Sequence, residues 1–213
     1  GYLLVADTDH EVEQFKKNIE VQHSCGIPSE MLSLEEAKEI VPYLNTGILK
    51  GAAFCGKDGF LNPFNTTDAF YRAAKKLGVK FYTFTEATGI RVEKGGVTGV
   101  ETNKGFISTD IVVNAANAYA KNICAMVGID VPVYSERHQI LATEPVEPMQ
   151  DPMVMAFRLN FYVQQSPEGT FIMGRGDENE PRDLRVTSSW QFIEEMAKTI
   201  DLVLPPISKL RVT

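Results

Sequence analysis

Glu86-Ala87-Thr88-Gly89-Ile90-Arg91-Val92-Glu93, Lys94-Gly95-Gly96, Val97-Thr98-Gly99-Val100-Glu101-Thr102: this stretch decides the fold class. Two β-compatible runs flank a Gly-Gly pair, which supplies the positive φ angles that a tight hairpin turn requires. The reading works outward from it. Upstream, Asn62-Pro63 is a helix cap followed by a first-turn proline. Phe64, Ala69, Phe70, Ala73, Ala74 and Leu77 then recur at helical spacing up to Gly78. From Val79 the period drops to two, so Val79 to Phe84 is expected to be a strand. Downstream, Lys104-Gly105 turns the chain again. Asp110-Ile111-Val112-Val113-Asn114-Ala115-Ala116 reads as a buried-type strand ending in small residues, and a helix is expected from about Asn117 to Val127. Hairpins between helices make this an α+β (mixed α/β) chain.

The flanking regions fit that class. Tyr2 to Ala6 is a short apolar run. Asp7-Thr8-Asp9 then starts a helix to about Ser24, with Val12, Phe15 and Ile19 on one stripe. Ser33-Leu34-Glu35-Glu36 is a capping box opening a short helix, and Gly51 to Cys55 is a small-residue strand. In the last third, Pro132 to Thr143 and Met155 to Gln165 are strand candidates, the second turning at Pro167-Glu168-Gly169 into Thr170 to Gly174. Thr187 or Ser188 caps a helix through Leu202, halted by Pro205-Pro206.

Composition narrows the functional classes. Across 213 residues, 21 basic against 28 acidic side chains give a net charge of −7, which argues against a nucleic-acid surface. No apolar run approaches the ~18 residues of a membrane span, and no secretory signal opens the chain. Cys25, Cys55 and Cys124 are odd in number and widely spaced, which fits a reducing cytoplasm. No His, Cys or acidic spacing suggests a metal site, so none is expected. Gly174-Arg175-Gly176 is followed by Asp177, Glu178 and Glu180, whose charges would repel a phosphate, and no nucleophile elbow is present.

Three stretches together resemble the D-amino-acid oxidase superfamily of flavoproteins, nearest to the sarcosine oxidase β-subunit, glycine oxidase and proline dehydrogenase β-subunit group. They are Asp58-Gly59 through Pro63 into the helix ending Lys76-Leu77-Gly78-Val79; Glu86 to Ile90 with Gly99 to Gly105; and Val112 to Tyr119 followed by Arg137-His138-Gln139-Ile140-Leu141-Ala142-Thr143-Glu144-Pro145. The resemblance implies FAD as cofactor and spans most of the chain. It implies a first part of a substrate domain over 1–55, the central part of an FAD-binding domain over 56–128, and the rest of the substrate domain, with a largely antiparallel sheet, over 129–213. The family's N-terminal dinucleotide fingerprint and C-terminal flavin loop are not in this sequence, so the chain is expected to be an internal fragment, inactive by itself.

Site residues follow position by position. Ala87 matches the position that meets the adenine end of FAD, while Ala115 and Ala116 match the strand end beside the cofactor. Asn117 stands where the family carries Gly, and Tyr119 where it carries Trp. Asn62 to Asn65 lack the His through which some heteromeric sarcosine oxidases attach a second flavin covalently. Tyr162 resembles the position that meets the substrate carboxylate. His138 returns toward the flavin in the family, where it could keep the substrate amine unprotonated; the other reading is a hydrogen-bonded structural His. From the residues themselves, alternation over Met155 to Gln164 puts Phe157, Leu159, Phe161 and Val163 on one face and Arg158, Asn160, Tyr162 and Gln164 on the other. That polar face is either a solvated sheet surface or a pocket wall. In the pocket reading a guanidinium, Arg158 or Arg175, holds the carboxylate bidentately.

The expected activity is oxidation of the C–N bond of a small amine or amino acid by hydride transfer to flavin, in a protein that assembles with other oxidase subunits. A glycerol-3-phosphate or 2-hydroxy-acid dehydrogenase of the same superfamily, or a non-catalytic subunit that keeps the fold, are the alternatives.

Overall fold

A computed structural model describes residues 1–213. In chain order the elements are β1 (Tyr2–Ala6), α1 (Asp9–Ser24), β2 (Glu30–Leu32), α2 (Leu34–Ile40), β3 (Gly51–Cys55), α3 (Pro63–Lys76), β4 (Ala87–Glu93), β5 (Gly96–Thr102), β6 (Gly105–Ser108), α4 (Ala120–Ala125), β7 (Gln139–Pro145), β8 (Met153–Ala156), β9 (Phe161–Gln165), β10 (Thr170–Arg175) and α5 (Trp190–Val203). The chain divides into two compact units. The first comprises 1–60, 138–179 and 187–213, and the second 61–137 and 180–186.

The first unit is built on a seven-stranded sheet of order β2-β3-β1-β8-β9-β10-β7. Every pairing is antiparallel except β1 with β8. Period-two alternation makes the sheet two-faced. On one face Leu3, Val5, Ala52, Val154, Ala156, Phe161, Val163, Phe171 and Met173 pack with Ala37 and Val41 of the α2 region and with Phe192, Met196, Ile200 and Val203 of α5. On the other face α1 lays Phe15 and Ile19 over Ala6 and Ala53, with Leu4, Val12 and Met31 alongside. That cluster includes no residue of β7 to β10, so their side of this face stays partly open. Two caps read from sequence form as expected: the Ser33–Glu36 box closes in both directions, and Asn62 accepts from Phe64 N and Asn65 N. The start of α1 is capped by Thr8, which accepts from Glu11 N. The cap expected at Thr187 or Ser188 falls on Ser189 instead, which accepts from Phe192 N where the helix begins.

The second unit holds the antiparallel sheet β4-β5-β6 and the amphipathic helix α3. None of α3 is buried: Phe64 and Phe70 are exposed, as is Leu77, which caps its C-terminal end.

Six further expectations are corrected. The β4–β5 hairpin turns on Lys94-Gly95, both at positive φ, and Gly96 already pairs with Glu93, so the turn lies one residue before the Gly95-Gly96 pair. Val79 to Phe84 forms no strand. No ladder reaches it, and Phe81 packs its ring 4.5 Å from that of Tyr71 instead. Asp110 to Ala116 is neither a ladder strand nor buried: Ile111 and Val113 are exposed, and Asn114 turns the chain by accepting from Ala116 N. An apolar β-branched run makes a strand only where another backbone edge pairs with it. The expected helix over 117–127 divides into a 3₁₀ turn, Asn117–Tyr119, and the short α4. The strand expected from Pro132 begins only at Gln139. Met155 to Gln165 is two strands, not one, because residues 157–160 make a tight turn with Asn160 at φ +54°. The alternation read across Phe157 to Asn160 therefore fails, and it holds only over Phe161 to Gln165.

Candidate functional site

On the open face of the first unit, β9 presents Tyr162 and Gln164. The register sets Tyr162 between Met155 on β8 and Gly174 on β10, and Gln164 beside Ile172. Gly174 is there for space: a Cβ on it would stand 2.6 Å from Tyr162 Cζ, so the phenol ring lies directly across the glycine. Burial, with no hydrogen bond contributing, pushes the Tyr162 phenol above its ordinary value. The hydroxyl is thus a neutral donor at any physiological pH.

The neighbouring arginines are committed elsewhere. Arg158 sits in the 157–160 turn. Its Nε donates to Asp7 Oδ1 at 2.6 Å, its Nη2 pairs with Asp7 Oδ2, and its backbone N donates to Glu11 Oε1 at 3.1 Å. The fork therefore ties the turn to the start of α1. Arg175 points to the α5 side of the sheet, with Nη1 3.6 Å from Glu195 Oε2 and 3.5 Å from Thr199 Oγ1. Asn160 anchors the exit of β10: its Nδ2 donates to Gly176 O at 2.8 Å and its Oδ1 accepts from Gly176 N at 3.0 Å. His138 is exposed and lies immediately before β7. Sequence reasoning had no means of finding Asp7 as the partner of Arg158, because the two are 151 residues apart.

In the second unit, Ala115 is exposed and Ala116 half-buried, so neither side chain blocks approach to the backbone. Asn114 Nδ2 donates to Ala120 O at 2.8 Å, which fixes the turn into α4. Asn117 adopts φ +45°, the left-handed geometry that glycine takes most easily and asparagine tolerates. Asn117 and Ala118 border an open cavity of about 1030 Å³, also walled by Lys121, Pro132, Tyr134 and Arg182. Arg182 stacks its guanidinium 3.8 Å from the Tyr134 ring centroid. Ala87 opens β4, half-buried and paired with Thr102. Below this region Arg137 Nη2 meets the nearly inaccessible Glu180 carboxylate at 2.9 Å. Small side chains followed at once by a left-handed residue leave the backbone open to close approach by a flat ring system. The residues present fit a flavin. No group of three or more His, Cys, Asp or Glu side chains is placed to hold a metal.

The model of the family described as DAO, FAD dependent oxidoreductase, matches residues 1–213. The chain belongs to this family of FAD-dependent oxidoreductases. Among solved structures, L-proline dehydrogenase from P. horikoshii is 37% identical with a TM-score of 0.95, covering 100% of this chain and 57% of that one. Glycine oxidase from Bacillus cereus shares the fold at 23% identity and a TM-score of 0.86, with coverages of 100% and 57%. The sarcosine oxidase subunit beta of Rhodobacter capsulatus is 27% identical over 215 residues, covering 99% of this chain and 52% of the relative. The DAO chain therefore spans about half the length of the relatives it matches. No helix of this DAO-family chain is long and apolar enough to cross a membrane.

Proposed function

We propose that this chain is the central part of a cytoplasmic FAD-dependent oxidoreductase that oxidises the C–N bond of a small amine or amino acid, such as L-proline, sarcosine or glycine. The observation that carries the reading is the open β7–β10 face, where Tyr162 holds a neutral hydroxyl over Gly174 between apolar strands. A phenol donor on a largely apolar shelf suits a small carboxylate whose remainder is uncharged and compact. The likeness to L-proline dehydrogenase supports this substrate class. When bound, FAD supplies the hydride acceptor. The chain's own residues orient and hold: Tyr162 takes the carboxylate, and His138, at the rim, accepts a proton from the substrate amine. Ala87, Ala115, Ala116 and Asn117 let the cofactor lie against the backbone. Arg158 contributes through the turn it pins, since its fork is occupied by Asp7.

The family boundaries 1–55, 56–128 and 129–213 are the proposed shares of the substrate and FAD domains. The exposed apolar side of α3 and the exposed Ile111 and Val113 support the fragment reading, because residues of this kind belong under a covering layer. The sarcosine oxidase likeness supports assembly with other oxidase subunits.

The test is spectroscopic. The full-length protein is expected to purify yellow and to bleach anaerobically with L-proline, sarcosine or glycine. The 213-residue chain is expected to bind FAD weakly or not at all. A colourless full-length protein that cannot be reconstituted with FAD, or bleaching by a 2-hydroxy acid and by no amine, overturns the reading.

A further inference from the structure

We propose that Gln164 is a specificity-determining residue whose side-chain amide reads the amino group of the substrate that Tyr162 holds by its carboxylate. This rests on the amine-oxidising reading above. The argument begins with two adjacent glutamines of identical chemistry. Gln165 faces the core and uses its whole amide. Its Oε1 accepts from Met149 N at 2.7 Å and Gln150 N at 3.0 Å, while its Nε2 donates to Val146 O, Glu147 O and Gly169 O. Gln165 is a structural residue. Gln164, one position earlier, points to the opposite face beside Tyr162. Its Oε1 is cut off from solvent and has no hydrogen-bond partner.

Its two cross-strand neighbours cannot repair this with their side chains. Ile172 stands opposite on β10, and the β8–β9 register brings Met153 to its other side. An apolar side chain of similar length would fill the same place without an unpaired amide, since burying a polar atom without a partner is destabilising. The arrangement makes sense if a ligand supplies the missing partner. Positions two apart on a strand are spaced by roughly 6.5–7 Å, so two long side chains can converge on one small molecule. Tyr162 is the donor of the pair and suits the carboxylate. Gln164 Oε1 is an acceptor and suits an N–H.

The experiment uses the full-length flavoprotein and the ligand pair L-proline and cyclopentanecarboxylate, which differ by N–H against CH₂. Anaerobic flavin reduction reports L-proline, and perturbation of the flavin spectrum reports the unreactive carboxylate. Gln164→Leu is expected to weaken L-proline about tenfold or more while leaving cyclopentanecarboxylate within about twofold, one charge-assisted or neutral hydrogen bond being lost. The variant's melting temperature is expected to stay level or rise. Equal weakening of both ligands, or a marked fall in melting temperature, assigns Gln164 a structural role and overturns the proposal. Unchanged L-proline binding in Gln164→Leu, in a wild-type protein that L-proline bleaches, overturns it while sparing the amine reading. A wild-type protein bleached by no amine overturns both.

Discussion

Asn160 gives the sharpest quantitative test of how the β9–β10 face is held. Its side chain makes two hydrogen bonds to one residue, Gly176, at 2.8 and 3.0 Å, and its backbone sits at φ +54°. Removing the amide forfeits two bonds of roughly 0.5–1.5 kcal/mol each, and Gly176 is only half-buried, so water limits the loss to about 1–2 kcal/mol. Asn160→Ala adds the cost of a Cβ in the left-handed region, about 1 kcal/mol more. The expected total is therefore about 2–3 kcal/mol for Asn160→Ala and about 1–2 kcal/mol for Asn160→Gly, which keeps the backbone at ease. Equilibrium urea unfolding of the chain, compared at unchanged slope, measures both. The reasoning is refuted if Asn160→Ala lies within 0.5 kcal/mol of the parent, a bound taken from ordinary surface substitutions. It is equally refuted if the glycine variant is the less stable of the two.

Three further outcomes are expected. Arg158→Ala should destabilise by about 1–2 kcal/mol, more than Asp7→Asn, because it leaves the nearly inaccessible Asp7 carboxylate without its partner while Arg158 itself is largely hydrated; paired urea melts check the order. Gly174→Ala should displace the Tyr162 ring, costing about 1–3 kcal/mol of stability by overpacking and weakening cyclopentanecarboxylate in the flavoprotein titration. Burial raises the Tyr162 phenol, so the protonated form that folding favours is fully present below the unfolded value of about 10 and is lost only as pH rises through the folded value. Carboxylate affinity should thus hold from neutral pH to about pH 10; an affinity that falls away well below that, and is restored in Tyr162→Phe, would contradict the assignment.

Local signals were legible in the sequence and distant ones were not. The caps at Ser33 and Asn62 and the helices they open depend on residues within a turn of one another and formed as read, and the β4–β5 hairpin formed with its turn displaced by one residue to Lys94-Gly95. Val79 to Phe84 and Asp110 to Ala116 have the right alternation or apolar content, but a strand exists only with a neighbour, and pairing is a tertiary fact. The single strand read over Met155 to Gln165 broke for a local reason that the pattern concealed: Asn160 was counted as one more alternating polar residue, although asparagine is also a turn residue. Tyr162 and Gln164 were visible because they lie on the stretch where alternation held. The commitment of Arg158 to Asp7 could not be seen, since it joins two turns 151 residues apart in the chain.

The parallel seam between β1 and β8 carries a kinetic consequence. On one side of it, β1, β2 and β3 pair within the first 55 residues; on the other, β8, β9 and β10 pair within 153–175. Both groups close much shorter loops than the seam between them and can form before it. Joining Tyr2 to Met153 closes a loop that contains nearly the whole second unit. Because such closure must be completed before its contacts reward it, the seam is the expected late step in folding. On the ribosome, β1 must wait through the synthesis of about 150 residues with one edge unpaired.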